Sequence, residues 1–124
     1  MLSYSNFGKP FTERSAYIRD ALKILNNRDV DFEYDGEMAA YVALNENLLA
    51  LYPFCKLSER ANLLIMPAIH SASISTKLLQ ELGGGDLVGP YLGGFNESVQ
   101  IAPLSASVAG MVNLAALACF KQLS

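Results

Sequence analysis

The chain has 124 residues, of which 52% are hydrophobic and 17% are charged, and its formal net charge is −3 at pH 7. That length normally makes one compact domain or part of one, and the apolar composition suggests surface that is covered in the native assembly. With a sequence pI near 5.0 and no stripe of basic residues, the chain is not expected to bind DNA or RNA.

The first elements predicted are a strand, a loop and a helix. Residues 1–5 are typical of a short strand, and residues 6–12 form a loop. From Glu13 onward apolar side chains recur at helical spacing. Thr12 is placed to cap the first turn of this helix, and Asn26 is placed to end it.

A second strand and a helical stretch follow. Residues 30–34 alternate apolar and acidic side chains, which indicates a strand with one wetter side. The next turn carries the carboxylates of Asp35 and Glu37, which could do acid/base work but which we interpret as a solvated turn. Residues 37–51 have a broken helical pattern, consistent with either one helix or two short ones.

The third strand is the most apolar. Residues 61–67 form a continuous apolar run closed by proline, as expected of a central parallel strand covered on two faces. Ser71 or Ser73 can start the next helix, and the glycines at 83–85 can end it.

Two short strands and a closing helix complete the pattern. Residues 88–92 and 99–102 are the strands, and Ser105 or Ser107 precedes an apolar helix that runs to about Leu123. The alternation predicts an α/β fold, a three-layer α/β/α arrangement around a mostly parallel sheet.

Anionic ligands bind where parallel strands end and helices begin. Residues 5–9 combine hydroxyl and amide donors with a glycine and a cation, a suitable cradle for phosphate or carboxylate, although an ordinary polar loop explains the same residues. A second junction holds His70 and Ser71, where a solvated or capping role competes with binding. The predicted binding residues are Ser5, Asn6, Gly8, Lys9, His70 and Ser71.

Other kinds of site find little support. The glycines of residues 89–94 lack the spacing of a phosphate loop. Cys55 and Cys119 lie far apart among apolar neighbours and match no metal-ligand spacing. With His70 as the single histidine, no metal site is expected.

The amino-terminal residues and the longest apolar region bear on localisation. Residues 1–9 lack the basic and apolar run of a secretory signal, and the apolar region at 108–120 is too short to cross a bilayer. We expect a cytoplasmic location and no membrane partner.

The second half of the chain carries few charges. Between residues 61 and 124 the charged side chains are Lys77, Glu81, Asp86, Glu97 and Lys121. Such a segment has little with which to move protons or stabilise charge. We therefore expect no catalytic residue in this chain.

Four segments resemble, in order and spacing, the carboxyl-terminal portion of the phosphate acetyl/butyryltransferase family. They are residues 1–5, 35–38, 61–67 and 88–94. The loop at 5–8 and the stretches 106–108 and 111–117 are most similar to the transacetylase-like region at the end of bacterial NADP-dependent malic enzymes. The resemblance covers nearly the whole chain and implies part of a two-domain phosphotransacetylase-like fold.

The chain departs from the family at the positions that carry its chemistry. Active members have an Asn-Asp-Leu-Ser-Arg-Gly-type segment followed by an aspartate, for thiol activation and acetyl phosphate binding. Pro103 and Leu104 align with the Ser-Arg pair, and Ala109 and Gly110 align with the acidic positions. None of these side chains can abstract a thiol proton or clamp a phosphoryl group.

The resemblance implies two regions and a function. Residues 1–95 would belong to the second α/β domain, and residues 96–124 would return to a first domain. The chain would be a non-catalytic, acetyl-CoA-responsive segment of a homo-oligomer, at least a dimer. The parent would oxidatively decarboxylate malate to pyruvate, with NADP and a divalent metal bound elsewhere. The alternative is a fragment of an active phosphate acetyltransferase.

Overall fold

The structure, a computed structural model, describes residues 1–83 and 87–120. These residues form the helices α1 (Glu13–Leu25), α2 (Ala40–Ala43), α3 (Glu46–Leu49), α4 (Ile69–Gly83) and α5 (Val108–Cys119). The chain divides into two compact units, one over Met1–Ile74 and one that begins at Ser75. The assignment of residues 1–95 to a second α/β domain and of residues 96–124 to a segment that returns to a first domain stays a prediction.

The prediction for α1 is confirmed at both ends. Thr12 accepts a hydrogen bond from the backbone N–H of Ser15, and the Ser15 hydroxyl accepts one from the backbone N–H of Thr12, so the two residues form a capping box. Asn26 ends the helix. Ser15, Ile18 and Leu22 form the buried face at intervals of three and four residues. This face fixes how α1 lies on the first unit.

Three extended segments pair within the first unit. Leu2 forms an isolated parallel bridge with Met38. The N–H of Ser3 donates to the Met38 carbonyl at 2.9 Å, and the N–H of Met38 donates to the Met1 carbonyl at 3.2 Å. The N–H of Leu2 donates to the Ile65 carbonyl at 2.9 Å. The first segment thus lies between the other two, with parallel pairing to one of them.

The predicted strands do not form continuous strands in the described residues. The ranges concerned are residues 1–5, 30–34, 61–67, 88–92 and 99–102. A strand needs a hydrogen-bonding neighbour along its length, and residues 30–34 are held through a side chain instead. Glu33 Oε2 accepts the N–H of Ser58 at 2.8 Å and its hydroxyl at 2.9 Å. The three-layer arrangement stays a prediction.

The core of the first unit brings α2 and α3 onto the paired segments. Its buried members are Leu2, Met38, Val42, Ala43 and Leu49, and Phe7 is among the half-buried side chains packed against them. The broken pattern of residues 37–51 resolves into two short helices, because Asn45 caps α3 by accepting from the N–H groups of Asn47 and Leu48. This core supports the loop that follows Ser5.

The longer helices differ in how well their starts were predicted. α4 begins at Ile69, two residues before the first predicted serine, and the Ser71 hydroxyl donates back to the Ala68 carbonyl at 2.8 Å. α5 is capped by Ser107, as predicted. The predicted stop at Gly84 and Gly85 and the predicted end near Leu123 lie outside the described residues. Within residues 1–83 and 87–120, no helix is both long and apolar enough to span a membrane.

Candidate functional site

The loop after the first segment is a tight turn. The backbone groups of Asn6 and Lys9 pair in both directions at 3.0 Å, with Phe7 and Gly8 between them. Phe7 has φ 48° and Gly8 has φ 87°, so both adopt the left-handed backbone that a turn of this shape requires. The Phe7 N–H donates to the Glu37 carbonyl at 2.7 Å. The loop is therefore tied by its backbone to the segment ahead of α2.

A buried carboxylate holds the inner side of this loop. Glu37 has no exposed surface. Its Oε1 accepts from the Ser5 hydroxyl at 2.6 Å and from the Gly8 N–H at 3.1 Å. Arg19 Nη1 donates to Oε1 at 2.8 Å and to Oε2 at 2.9 Å. Charge-assisted hydrogen bonds of this kind offset the cost of burying a carboxylate.

The guanidinium of Arg19 is itself positioned by two neighbours. Nη1 donates to the Ser15 hydroxyl at 3.0 Å, one helical turn earlier. The ring of Phe11 lies over the guanidinium, with its centroid 4.5 Å from Cζ. Nη2 is buried and has no hydrogen-bond partner among the described residues. Arg19, Ser15 and Phe11 were missed by the sequence reasoning, because a helical arginine gives no local sign of its partner.

The interpretation of residues 35–37 as a solvated turn is wrong for Glu37, which is fully buried. It fails because Arg19 and the loop reach this carboxylate from other parts of the chain. Asp35 is half-buried, and its oxygens accept the N–H of Gly36 at 2.8 Å and the N–H of Lys56 at 2.6 Å. Asp35 therefore organises backbone, and Glu37 organises the loop.

The loop residues predicted to bind a ligand differ in whether their polar groups face inward or remain accessible. Ser5 is buried and donates to Glu37, and the Gly8 N–H is used in the same way. Asn6 Oδ1 accepts the Ala39 N–H at 2.8 Å, while its Nδ2 donates to the exposed Tyr41 hydroxyl at 3.4 Å. Lys9 is exposed. The ammonium of Lys9 and the amide edge of Asn6 are thus the groups that face outward.

The other two predicted residues lie in the first turn of α4. His70 is exposed and Ser71 is half-buried. Between either of them and the loop at residues 5–9, the described part of the chain contains no hydrogen bond or ion pair. Their joint role with the loop stays a prediction. In the same described residues no three His, Cys, Asp or Glu side chains group so as to hold a metal ion.

Comparisons with known proteins identify the relatives of this chain. The sequence model of the phosphate acetyl/butaryl transferase family matches residues 1–119. An NADP-dependent malic enzyme of Rhizobium meliloti (strain 1021) is 62% identical over 98% of the chain and 16% of its own length. A probable NADP-dependent malic enzyme of Rickettsia prowazekii (strain Madrid E) is 42% identical over 99% of the chain and 17% of its own length.

A solved structure shares the fold. The EutD phosphotransacetylase from Staphylococcus aureus superposes with a TM-score of 0.85 and 28% sequence identity, over 95% of this chain and 37% of that one. The fold is therefore phosphotransacetylase-like. The chain spans only a minor part of the length of each of these three relatives.

Proposed function

The chain belongs to the phosphate acetyl/butaryl transferase family, and on that premise we propose that it is a non-catalytic segment of an NADP-dependent malic enzyme. Its role in this proposal is oligomerisation and regulation by acetyl-CoA. The relatives that are 62% and 42% identical carry the malic enzyme name, which supports the parent. That parent would oxidatively decarboxylate malate to pyruvate in the cytoplasm, with NADP and a divalent metal held outside this segment.

The non-catalytic part of the proposal rests on the hydrogen bonds that the polar groups behind the loop already make. Glu37 and Arg19 form an ion pair, and the Ser5 hydroxyl and the Gly8 N–H both donate to the Glu37 carboxylate. A general base needs a free lone pair within reach of the proton that it removes. Binding a phosphoryl group needs hydrogen-bond donors that are free. Arg19 Nη2 is buried and unpartnered in the described residues, and the other groups are paired in this way, which supports a structural role for them.

The outward side of the loop supports the binding part of the proposal. Lys9 offers an exposed cation and Asn6 offers an amide next to the Tyr41 hydroxyl. These groups suit a phosphate of acetyl-CoA, with Gly8 giving the turn its shape. His70 and Ser71 would complete the effector site in the full-length protein.

Uncovered apolar side chains support self-association. On α5, Val108 is 75% exposed and Val112 is 62% exposed. α4 likewise presents exposed leucines, among them Leu79 and Leu82. Such surface is normally covered in an assembly. We propose at least a dimer of the full-length protein.

The alternative function is acyl transfer between phosphate and CoA by an active phosphate acetyltransferase. The likeness to the Staphylococcus aureus phosphotransacetylase favours it. The alignment of Pro103 and Leu104 with the Ser-Arg pair of active members weighs against it.

Acetyl phosphate formation separates the two functions. The full-length protein is incubated with acetyl-CoA and inorganic phosphate, and acetyl phosphate is measured with a known phosphotransacetylase as the positive control. The proposal expects no acetyl phosphate above the rate without protein. Formation at a rate comparable with the control would establish the alternative, and sedimentation of the same sample as a monomer would refute self-association.

A further inference from the structure

Phe7 is held in a backbone conformation that its own side chain disfavours. Its φ of 48° lies in the left-handed region, and it is the one residue other than glycine with a positive φ among residues 1–83 and 87–120. Contact between Cβ and the backbone makes this region costly for a bulky residue, whereas glycine enters it freely. Contacts with other parts of the first unit must therefore stabilise Phe7 in this conformation.

The ring of Phe7 makes such contacts. It is half-buried and packs against the core of the first unit. Its centroid lies 5.1 Å from that of Tyr52, with the ring planes tilted by 42°, and 5.0 Å from that of Phe54, with the planes at 84°. Tilted and edge-to-face pairs at this separation are stabilising beyond the burial of the rings themselves. Tyr52 is in turn fixed to the end of α3, because its N–H donates to the Leu49 carbonyl at 2.9 Å.

The conformation of Phe7 determines how the loop presents its outward groups. Phe7 and Gly8 lie at the centre of the turn in which the N–H groups of Asn6 and Lys9 donate to each other's carbonyls at 3.0 Å. The Phe7 N–H donates to the Glu37 carbonyl at 2.7 Å, and the Gly8 N–H donates to Glu37 Oε1 at 3.1 Å. A rotation of Phe7 out of the left-handed region would break this pattern of hydrogen bonds and move Asn6 and Lys9 relative to each other.

We propose that Phe7 is a positioning residue for the effector loop. The contacts of its ring with Tyr52 and Phe54 hold the turn in the conformation that places Asn6 and Lys9 for the effector. The ring packs against the core, so Phe7 acts through those two residues and not by touching the effector. The inference rests on the proposed function for the identity of the effector, whereas the contacts that hold the turn do not depend on it.

Amide exchange of the full-length protein reports on the turn directly, because the four N–H groups of residues 6–9 are all hydrogen-bonded. Phe7→Gly removes the ring and supplies a residue that adopts the same backbone without strain. If the ring holds the turn, exchange at residues 6–9 rises about tenfold. If the hydrogen bonds alone hold it, the relief of strain leaves exchange unchanged or slower, and that result would overturn the proposal.

The response to acetyl-CoA separates positioning from a purely structural role. Only molecules in which the turn is formed present both outward groups, so that fraction sets the apparent affinity. In Phe7→Gly the acetyl-CoA midpoint for malate oxidation is expected to rise about fivefold, while the response at saturating acetyl-CoA is retained. Phe7→Tyr keeps the ring and is expected to keep the wild-type midpoint. Faster exchange in Phe7→Gly with an unshifted midpoint would overturn the positioning role.

Phe54→Leu removes one ring contact without changing the loop sequence, and exchange at residues 6–9 should rise about threefold. Phe32→Leu is the matched control, since Phe32 is 59% exposed against 65% for Phe54 and its ring centroid lies 6.2 Å from that of Tyr34. It should leave exchange at residues 6–9 unchanged, and equal effects of the two substitutions would overturn the proposal. A wild-type protein insensitive to acetyl-CoA would refute the proposed function, whereas exchange in Phe7→Gly and Phe54→Leu would still decide whether the ring holds the turn.

Discussion

Arg19 in α1 and Glu37 ahead of α2 form an ion pair that joins two parts of the chain 18 residues apart. Nη1 lies 2.8 Å from Oε1 and 2.9 Å from Oε2, and the carboxylate has no exposed surface. The Ser5 hydroxyl and the Gly8 N–H donate to the same carboxylate. This pair therefore determines where the loop at residues 5–9 lies.

Loss of Arg19 is expected to release the loop. Arg19→Leu leaves Glu37 buried without its cation, which costs about 3 kcal/mol, or roughly a hundredfold in amide exchange. Hydrogen exchange of the full-length protein, followed by mass spectrometry, should show this increase in α1 and in the loop.

The ion pair between Lys23 and Asp20 provides the matched control on the same helix. Its side chains are 74% and 60% exposed. Lys23→Leu should change exchange by no more than a few-fold, because exposed pairs contribute little. Similar effects of the two substitutions would mean that the Arg19–Glu37 pair does not hold the loop.

Gly36 is expected to resist substitution. Its φ is 147°, and a Cβ atom there would lie 2.6 Å from the Met1 carbonyl oxygen. Gly36→Ala should destabilise the local structure by about 2–4 kcal/mol, measured as faster amide exchange at residues 36–38. A Cβ on Gly83 meets nothing within 4 Å, so Gly83→Ala is the control and should be neutral or stabilising. Equal tolerance of both changes would contradict the packing at Gly36.

Local signals were predicted well from the sequence, and pairing between distant segments was not. The caps Thr12 and Ser107 depend on a few neighbouring residues, so α1 and the start of α5 were predicted correctly. The buried state of Glu37 depends on Arg19, whose approach is set by the packing of α1. The same limit applies to the strands, because hydrogen-bonding partners decide whether an apolar run forms a ladder.

The candidate site was predicted in outline only. The loop at residues 5–9 was identified because it combines a glycine, hydrogen-bond donors and a cation. Sequence reasoning could not tell that Ser5 faces inward while Lys9 faces outward, since this depends on the position of Glu37.

Glu33 is expected to give the first unit a dependence on acidic pH. The backbone N–H of Ser58, and then its hydroxyl, donate to this carboxylate and lower its pKa below the ordinary value of 4.5. A depressed folded pKa means that the contribution to stability is present above about pH 4.5 and is lost as the pH falls through the folded pKa. A carbon-detected NMR titration should place the Glu33 midpoint below 4.5.

The contact between Glu33 and Ser58 can be checked independently. Amide exchange at Ser58 should show an acid-dependent step in the wild-type protein, and Glu33→Gln should abolish that step. A Glu33 midpoint at or above 4.5 would contradict the hydrogen bonds assigned to it.

The central claim is that a loop held from behind by Arg19 and Glu37 binds an effector through its outward groups without turning it over. The most direct test is an acetyl-CoA titration of malate oxidation by the full-length protein, in the wild type and in Lys9→Ala. The account predicts a rate that changes with acetyl-CoA, with the midpoint shifted about tenfold to higher concentration in Lys9→Ala and unshifted in the control Lys77→Ala. A rate insensitive to acetyl-CoA, or one with the same midpoint in Lys9→Ala, would contradict it.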